Sequence, residues 1–133
     1  LQRARAAAER AGVDVGWVHA GLVEAGLPAG TFDLVSAFYP TLLRTPERRG
    51  EAALLAAVAP GGTLLMVHHA HFDREHARAH GCDPDNYVSV DDVAGCLGDG
   101  WTVTVHEERP RHVATGAGAG HTHDVVLRAV RTG

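Results

Sequence analysis

The stretch TFDLVSAFYP, Thr31 to Pro40, decides the fold. Phe32, Leu34, Val35, Ala37 and Phe38 form a nearly unbroken apolar run. Such a run predicts a parallel strand covered by helices on both faces, because a strand with one wet face alternates apolar with polar residues. The run breaks at Tyr39 and Pro40. The chain therefore turns where an open α/β sheet presents its ligand, beyond the carboxyl ends of its strands.

Upstream, Leu1, Ala4, Ala8 and Ala11 recur at helical spacing and Gly12 supplies a stop,. Val13, Val15, Trp17 and Val18 predict a strand of about six residues within Val13 to Ala20, followed by a connector from Leu22 to Gly30,. Downstream, Thr45 and Pro46 read as a helix start, with Glu51, Leu54, Leu55 and Val58 along the helix and Pro60, Gly61 and Gly62 at its end,. Thr63 to Val67 is a second fully apolar strand running into His68 and His69,. Ala70 to Tyr87 is polar and rich in histidine, a connector or lid with a helical segment,. Ser89 caps a short helix with Asp91 and Asp92 in its first turn,. Trp101 to Val105 and Asp124 to Arg131 alternate in polarity and predict an antiparallel pair joined by a long loop,. Alternation of helix and strand before that pair implies a parallel, doubly wound sheet.

At 133 residues the chain is read as one domain, 1–133,. Twelve Lys plus Arg against sixteen Asp plus Glu give a net charge of -4, so there is no basic field to hold nucleic acid, and a small-molecule partner is expected instead,. No apolar run is long enough to span a membrane, and the first residues lack a signal-peptide core, which predicts a cytoplasmic protein,. Cys82 and Cys96 are two isolated cysteines and are expected to be free thiols,.

His68, His69 and His71 follow the second apolar strand on the ligand side of the sheet. One of them is suited to orient a substrate or to act as a general base, since imidazole titrates near neutral pH. The same residues with His76, His80, Cys82, His121 and His123 supply donors for zinc or nickel, but their spacing matches no compact zinc signature and no metal ligand is assigned,. The glycines of TGAGAG, Gly116, Gly118 and Gly120, are followed by a strand pattern and not by a helix N-terminus, which argues for a hairpin connection and against a phosphate loop,. Asp33 is read as structural, and Arg109 and Arg111 as a solvated strand end.

The segments RARAAAERAG, WVHAGL, FDLVSAFYP, VAPGGTLLMV, WTVTVHEERPRHV and DVVLRAVR, in this order, resemble the later two thirds of a class I S-adenosylmethionine-dependent methyltransferase. The resemblance implies a three-layer, Rossmann-like α/β fold with strand order 3-2-1-4-5-7-6 and an antiparallel C-terminal pair. The family's first strand, its glycine-rich loop and the acid that holds the ribose have no counterpart in this sequence, so an N-terminally truncated domain with impaired cofactor binding is expected. By the same resemblance Gly21 and Leu22 would lie on the adenine side of S-adenosylmethionine, Ser36, Ala37 and Phe38 would form its floor, and Tyr39 would face the substrate together with His68 and His69. Gly21 stands where the family often has Asp, so Gly21→Asp, with the upstream region restored, is expected to tighten binding. The implied activity is methyl transfer to a small molecule. The alternatives are a non-catalytic remnant or interaction module of the same fold, or a histidine-rich metal binder. Loss of the first strand would leave a sheet edge open to self-association, and the strand at Val15 to Ala20 would have to stand apart, re-pair or recruit another chain.

Overall fold

The strand β2 (Val58–His69) is the one about which the others are arranged. It pairs in parallel with β1 (Phe32–Phe38), from Leu34 opposite Thr63 to Phe38 opposite Val67. On its other side it pairs antiparallel with β4 (His123–Arg131), from Thr63 opposite Val130 to His69 opposite Asp124. The strand β3 (Trp101–Pro110) lies outside β4 and antiparallel to it. The sheet order β1-β2-β4-β3 is the 4-5-7-6 portion of the order that the resemblance implies. The computed structural model describes residues 1–71, 73–113, 115 and 119–133, with His76 described in its backbone only. Gly116 and Gly118 of the glycine-rich loop, and the side chain of His76, therefore lie outside the described residues.

The crossover from β1 to β2 runs through α2 (Arg49–Ala57), which packs on both strands. Leu54 of α2, Val58, Leu64 and Met66 of β2, Leu127 of β4, and Val88, Val90 and Val93 form the buried core. Val90 and Val93 belong to α4 (Val90–Ala94), and Val35 and Ala37 of β1 pack against the cluster from the sheet. Period-two alternation sets this arrangement, since Val35 pairs with Leu64 and Ala37 with Met66, all on the helix-covered face,. Burying each such aliphatic side chain contributes roughly 1.5 to 3 kcal/mol relative to exposure. Glu51 of α2 is buried as well, and its Oε2 has no hydrogen-bond partner among the described residues.

Several expectations need correction. β1 forms where expected but is not covered on both faces, because Leu34 and Phe38 remain 58% and 57% exposed. These residues share the face opposite the core, and the outer edge of β1 has no ladder partner among the described residues. Val13 to Ala20 is not a strand, and Val13, Val15 and Val18 are exposed. Valine-rich sequence supplies propensity, but a strand needs a ladder partner, and none of the described residues provides one. The helix before it, α1 (Gln2–Ala11), ends as predicted at Gly12, whose φ of 66° suits a left-handed cap,. α2 begins three residues later than its Thr45-Pro46 signal, although the Thr45 hydroxyl does accept the Arg49 N–H at 3.1 Å. The Pro60-Gly61-Gly62 turn does not separate helix from strand but lies inside β2, as an irregularity in its pairing with β1.

Between β2 and β3 run α3 (Arg74–Ala79), one 3-10 turn at Pro84–Asn86, and α4. Ser89 and Asp92 form a reciprocal capping box at the start of α4, and Arg44 clamps the Asp92 carboxylate through both terminal nitrogens at 2.6 Å,. Burial is the largest single influence on Asp92 and raises its pKa, but the hydrogen bonds from Ser89 and Arg44 together outweigh it and hold the carboxyl below its ordinary 3.8. A lowered carboxyl contributes stability above its unfolded value and loses it as pH falls through the folded one. Asp92→Ala should therefore cost about 1 to 2 kcal/mol at neutral pH, a fall in Tm of about 3 to 10 °C. Thermal melts should show the gap between variant and parent closing as pH drops below about 4.

Candidate functional site

Tyr39 is the first residue beyond β1 and adopts a φ of 51°, a left-handed conformation that costs a non-glycine residue about 1 to 2 kcal/mol,. Its N–H is held by the Val67 carbonyl at 2.9 Å, continuing the ladder with β2, while the reversal turns its ring back across the strand ends. There the ring stacks on His69 with centroids 4.4 Å apart, and His69 stacks in turn on His121 at 3.6 Å. His68 meets Tyr39 edge to face at 6.2 Å.

Asp124, at the start of β4 and paired in register with His69, is the anion that this cluster surrounds. The Tyr39 hydroxyl donates to its Oδ2 at 2.8 Å, and His69 Nδ1 lies 3.2 Å from its Oδ1. Arg111 brings Nη1 to 3.3 Å from His69 Nδ1 and 3.7 Å from Asp124, with its guanidinium 5.1 Å above the Tyr39 ring. The side chains of Arg111 and Asp124 are only 16% and 13% exposed, so this pair sits where charge attraction is weakly screened,. A neutral His69 ring has one role for Nδ1, either donating to Asp124 or accepting from Arg111. Partial burial and then the Asp124 hydrogen bond push the Tyr39 phenol above its ordinary value, which keeps it protonated as a donor. Burial, followed by the nearby His121, pushes His69 down.

A cleft of about 740 Å³ opens beside this cluster, beyond the carboxyl ends of β1 and β2. Tyr39, His68 and His69, the three residues expected to face a substrate, all line it. Its other wall comes from the Asp85 to Asp91 region, including Tyr87 and Ser89, with Arg44 at one side. The donor-side residues are placed elsewhere. Gly21, Leu22, Ser36, Ala37 and Phe38 are not part of the cleft lining. Ser36 and Phe38 are exposed at the end of β1, Ala37 and Leu22 pack against the core, and Gly21 sits in the 13–31 loop, where its carbonyl accepts the Ala25 N–H at 2.8 Å.

Two members of the cluster were not evident from the sequence. Arg111, read as solvated, is nearly buried, whereas Arg109 does stay at the surface in a pair with Glu107. In the sequence Asp124 marks only the start of a strand. The usable signal was that it is the only acid after Glu108 and opens an otherwise apolar run, DVVL.

The fold is that of class I S-adenosylmethionine-dependent methyltransferases. An N-methyltransferase from Bradyrhizobium japonicum WM9, NodS, superposes with a TM-score of 0.65 at 15% identity, over 100% of this chain and 70% of that one. A protein of echinomycin biosynthesis, from work on the conversion of a disulfide bond into a thioacetal group, superposes with a TM-score of 0.63 at 19% identity, over 98% of this chain and 62% of that one. A 16S rRNA (adenine(1408)-N(1))-methyltransferase from Catenulisporales acidiphilia, solved with its cosubstrate S-adenosylmethionine, gives 0.51 at 20% identity, over 79% of this chain and 55% of that one. The chain thus spans less than two thirds of two of these three proteins. No family model and no curated relative matches the sequence.

Burial lowers the pKa of His68 below its ordinary 6.5, against the opposing influence of the Pro40 carbonyl. Its Nδ1 accepts the His69 backbone N–H at 2.9 Å, which leaves the ring proton on Nε2,. A histidine with a lowered folded pKa takes up its proton more readily in the unfolded chain, so the native state loses stability as pH falls through the unfolded value near 6.5. His68→Asn should flatten the slope of unfolding free energy between about pH 7 and pH 5 in denaturant titrations. A variant slope as steep as the parent's would show that His68 is not held neutral. Separately, Asp124→Ala leaves Arg111 and the Tyr39 hydroxyl without their acceptor and should cost about 1 to 3 kcal/mol, more than Tyr39→Phe, by the same measurement.

Proposed function

We propose that this domain transfers a methyl group from S-adenosylmethionine to a small-molecule acceptor held in the cleft beside Tyr39, His68 and His69. The observation that carries this reading is the convergence of those three side chains on one cleft at the carboxyl ends of β1 and β2, where open α/β sheets bind ligands,. Methyl transfer needs alignment of acceptor and methyl group above all, because the sulfonium is already a good leaving group. The Asp124 network suits that task, since it fixes the Tyr39 and His69 rings as a rigid wall. His68, neutral and with its ring proton on Nε2, lines the same cleft and is placed to orient an acceptor hydroxyl, thiol or amine, not to take its proton,. The net charge of -4 favours a small acceptor over nucleic acid,.

In this reading the donor lies on the end of β1, against Ser36, the backbone of Ala37 and the exposed Phe38 ring, with Gly21 and Leu22 toward its adenine. A Cβ added at Gly21 would meet only the far end of the exposed, flexible Glu24 side chain, which can turn aside. Calorimetric titration with S-adenosylhomocysteine tests the assignment. Weak, saturable binding is expected, reduced about two- to tenfold by Phe38→Ala through loss of ring contact. Absence of any binding to the natural protein that carries this sequence would contradict the donor assignment, and equal affinity in the Phe38 variant would move the donor off β1.

A further inference from the structure

We propose that His71, Glu108 and His123 form a binding site for a divalent zinc-type cation at the rim of the cleft. The three ligands come from three strands, His71 from the chain just beyond β2, Glu108 from β3 and His123 from the first position of β4. Pairing in the sheet brings them together. Glu108 lies opposite Val125 and Pro110 opposite His123, so Glu108 and His123 are diagonal neighbours on one face of the β3–β4 ladder,. The His123 carbonyl accepts the Ala70 N–H at 3.0 Å, which carries β2 past His69 and delivers His71 to the same place.

Their donor atoms already cluster. His71 Nε2 lies 2.9 Å from Glu108 Oε1, His123 Nδ1 lies 4.0 Å from the same oxygen, and one ligand atom from each of the three falls within 4.8 Å of the others. Zinc bonds of about 2.0 to 2.1 Å at tetrahedral angles set ligand atoms roughly 3.3 Å apart. Side-chain adjustments on the order of 1 Å therefore close the set around an ion. All three side chains are at least two-fifths exposed, so an ion can enter and the rotamers are free to adjust. Two imidazoles and one carboxylate are a donor set characteristic of zinc sites that keep a fourth position open. His71 also lines the cleft, so that open position is available to water or to a thiolate or carboxylate of a molecule bound there. The site does not depend on S-adenosylmethionine or on the methyl-transfer reading.

The test is calorimetric titration of the tag-free protein with zinc chloride, repeated for His71→Ala, Glu108→Gln and His123→Ala. His106→Ala serves as the control, since His106 pairs with Asp91 outside the cluster. The expected result is one saturable site, weakened at least tenfold by each of the three variants and unchanged by the control. Cobalt(II) added in place of zinc should give visible absorption bands that the three variants abolish. Two results would overturn the site: no saturable binding near one equivalent, or binding that the control weakens as much as the three variants do. Circular dichroism should show that the variants remain folded, because the altered side chains are exposed.

Discussion

The structure depends on β2 having a partner on each side. Its parallel ladder with β1 and its antiparallel ladder with β4 satisfy both edges of the most buried strand, and the core collects on the face that these ladders present to α2 and α4. Register matters as much as pairing. Because Ala37 meets Met66 and Met66 meets Leu127, the apolar side chains of three strands fall on one face. A slip of one residue would turn them all outward. The same register sets His69 opposite Asp124 and brings Tyr39 to the end of the ladder. The site is thus a continuation of the sheet, not an addition to it.

Asp124 converts that placement into a rigid arrangement. A mostly buried carboxylate needs partners, and it finds them in the Tyr39 hydroxyl, His69 and Arg111,. Each of those residues is then restricted by a second contact, Tyr39 by its stack on His69, His69 by its stack on His121, and Arg111 by its position over the Tyr39 ring. The left-handed backbone at Tyr39 is the local cost of this geometry,. Strain that places an aromatic ring at the mouth of a cleft is consistent with a surface shaped for a ligand.

The parts of the fold that were legible in the sequence were those with local signatures: the apolar runs of β1 and β2, the Ser89 and Asp92 cap of α4, and the alternation of β3 and β4. Those elements in order carried the family resemblance, and the resemblance implied the sheet order. What was illegible depended on pairing. Val13 to Ala20 has the composition of a strand but no partner among the described residues, and the run at Phe32 to Phe38 looked doubly covered although only its Val35 and Ala37 face is packed. At the site, Tyr39, His68 and His69 could be picked out because they end strands. Arg111 and Asp124 could not, since nothing local shows that the 12 residues of intervening chain will bring them within 3.7 Å of each other. The His71, Glu108 and His123 set was hidden in the same way, because its carboxylate lies 37 positions from one histidine and 15 from the other.

The central claim is that the strand ends of β1 and β2 form a methyl-donor and acceptor surface. It is tested most directly by recording backbone amide chemical shifts of the natural protein while S-adenosylhomocysteine is added. The account predicts saturable shifts concentrated at Ser36 to Tyr39 and at His68 and His69, with the far ends of the same strands, near Phe32 and Val58, unmoved. Shifts confined to the opposite end of the sheet, or none at saturating ligand, would contradict it.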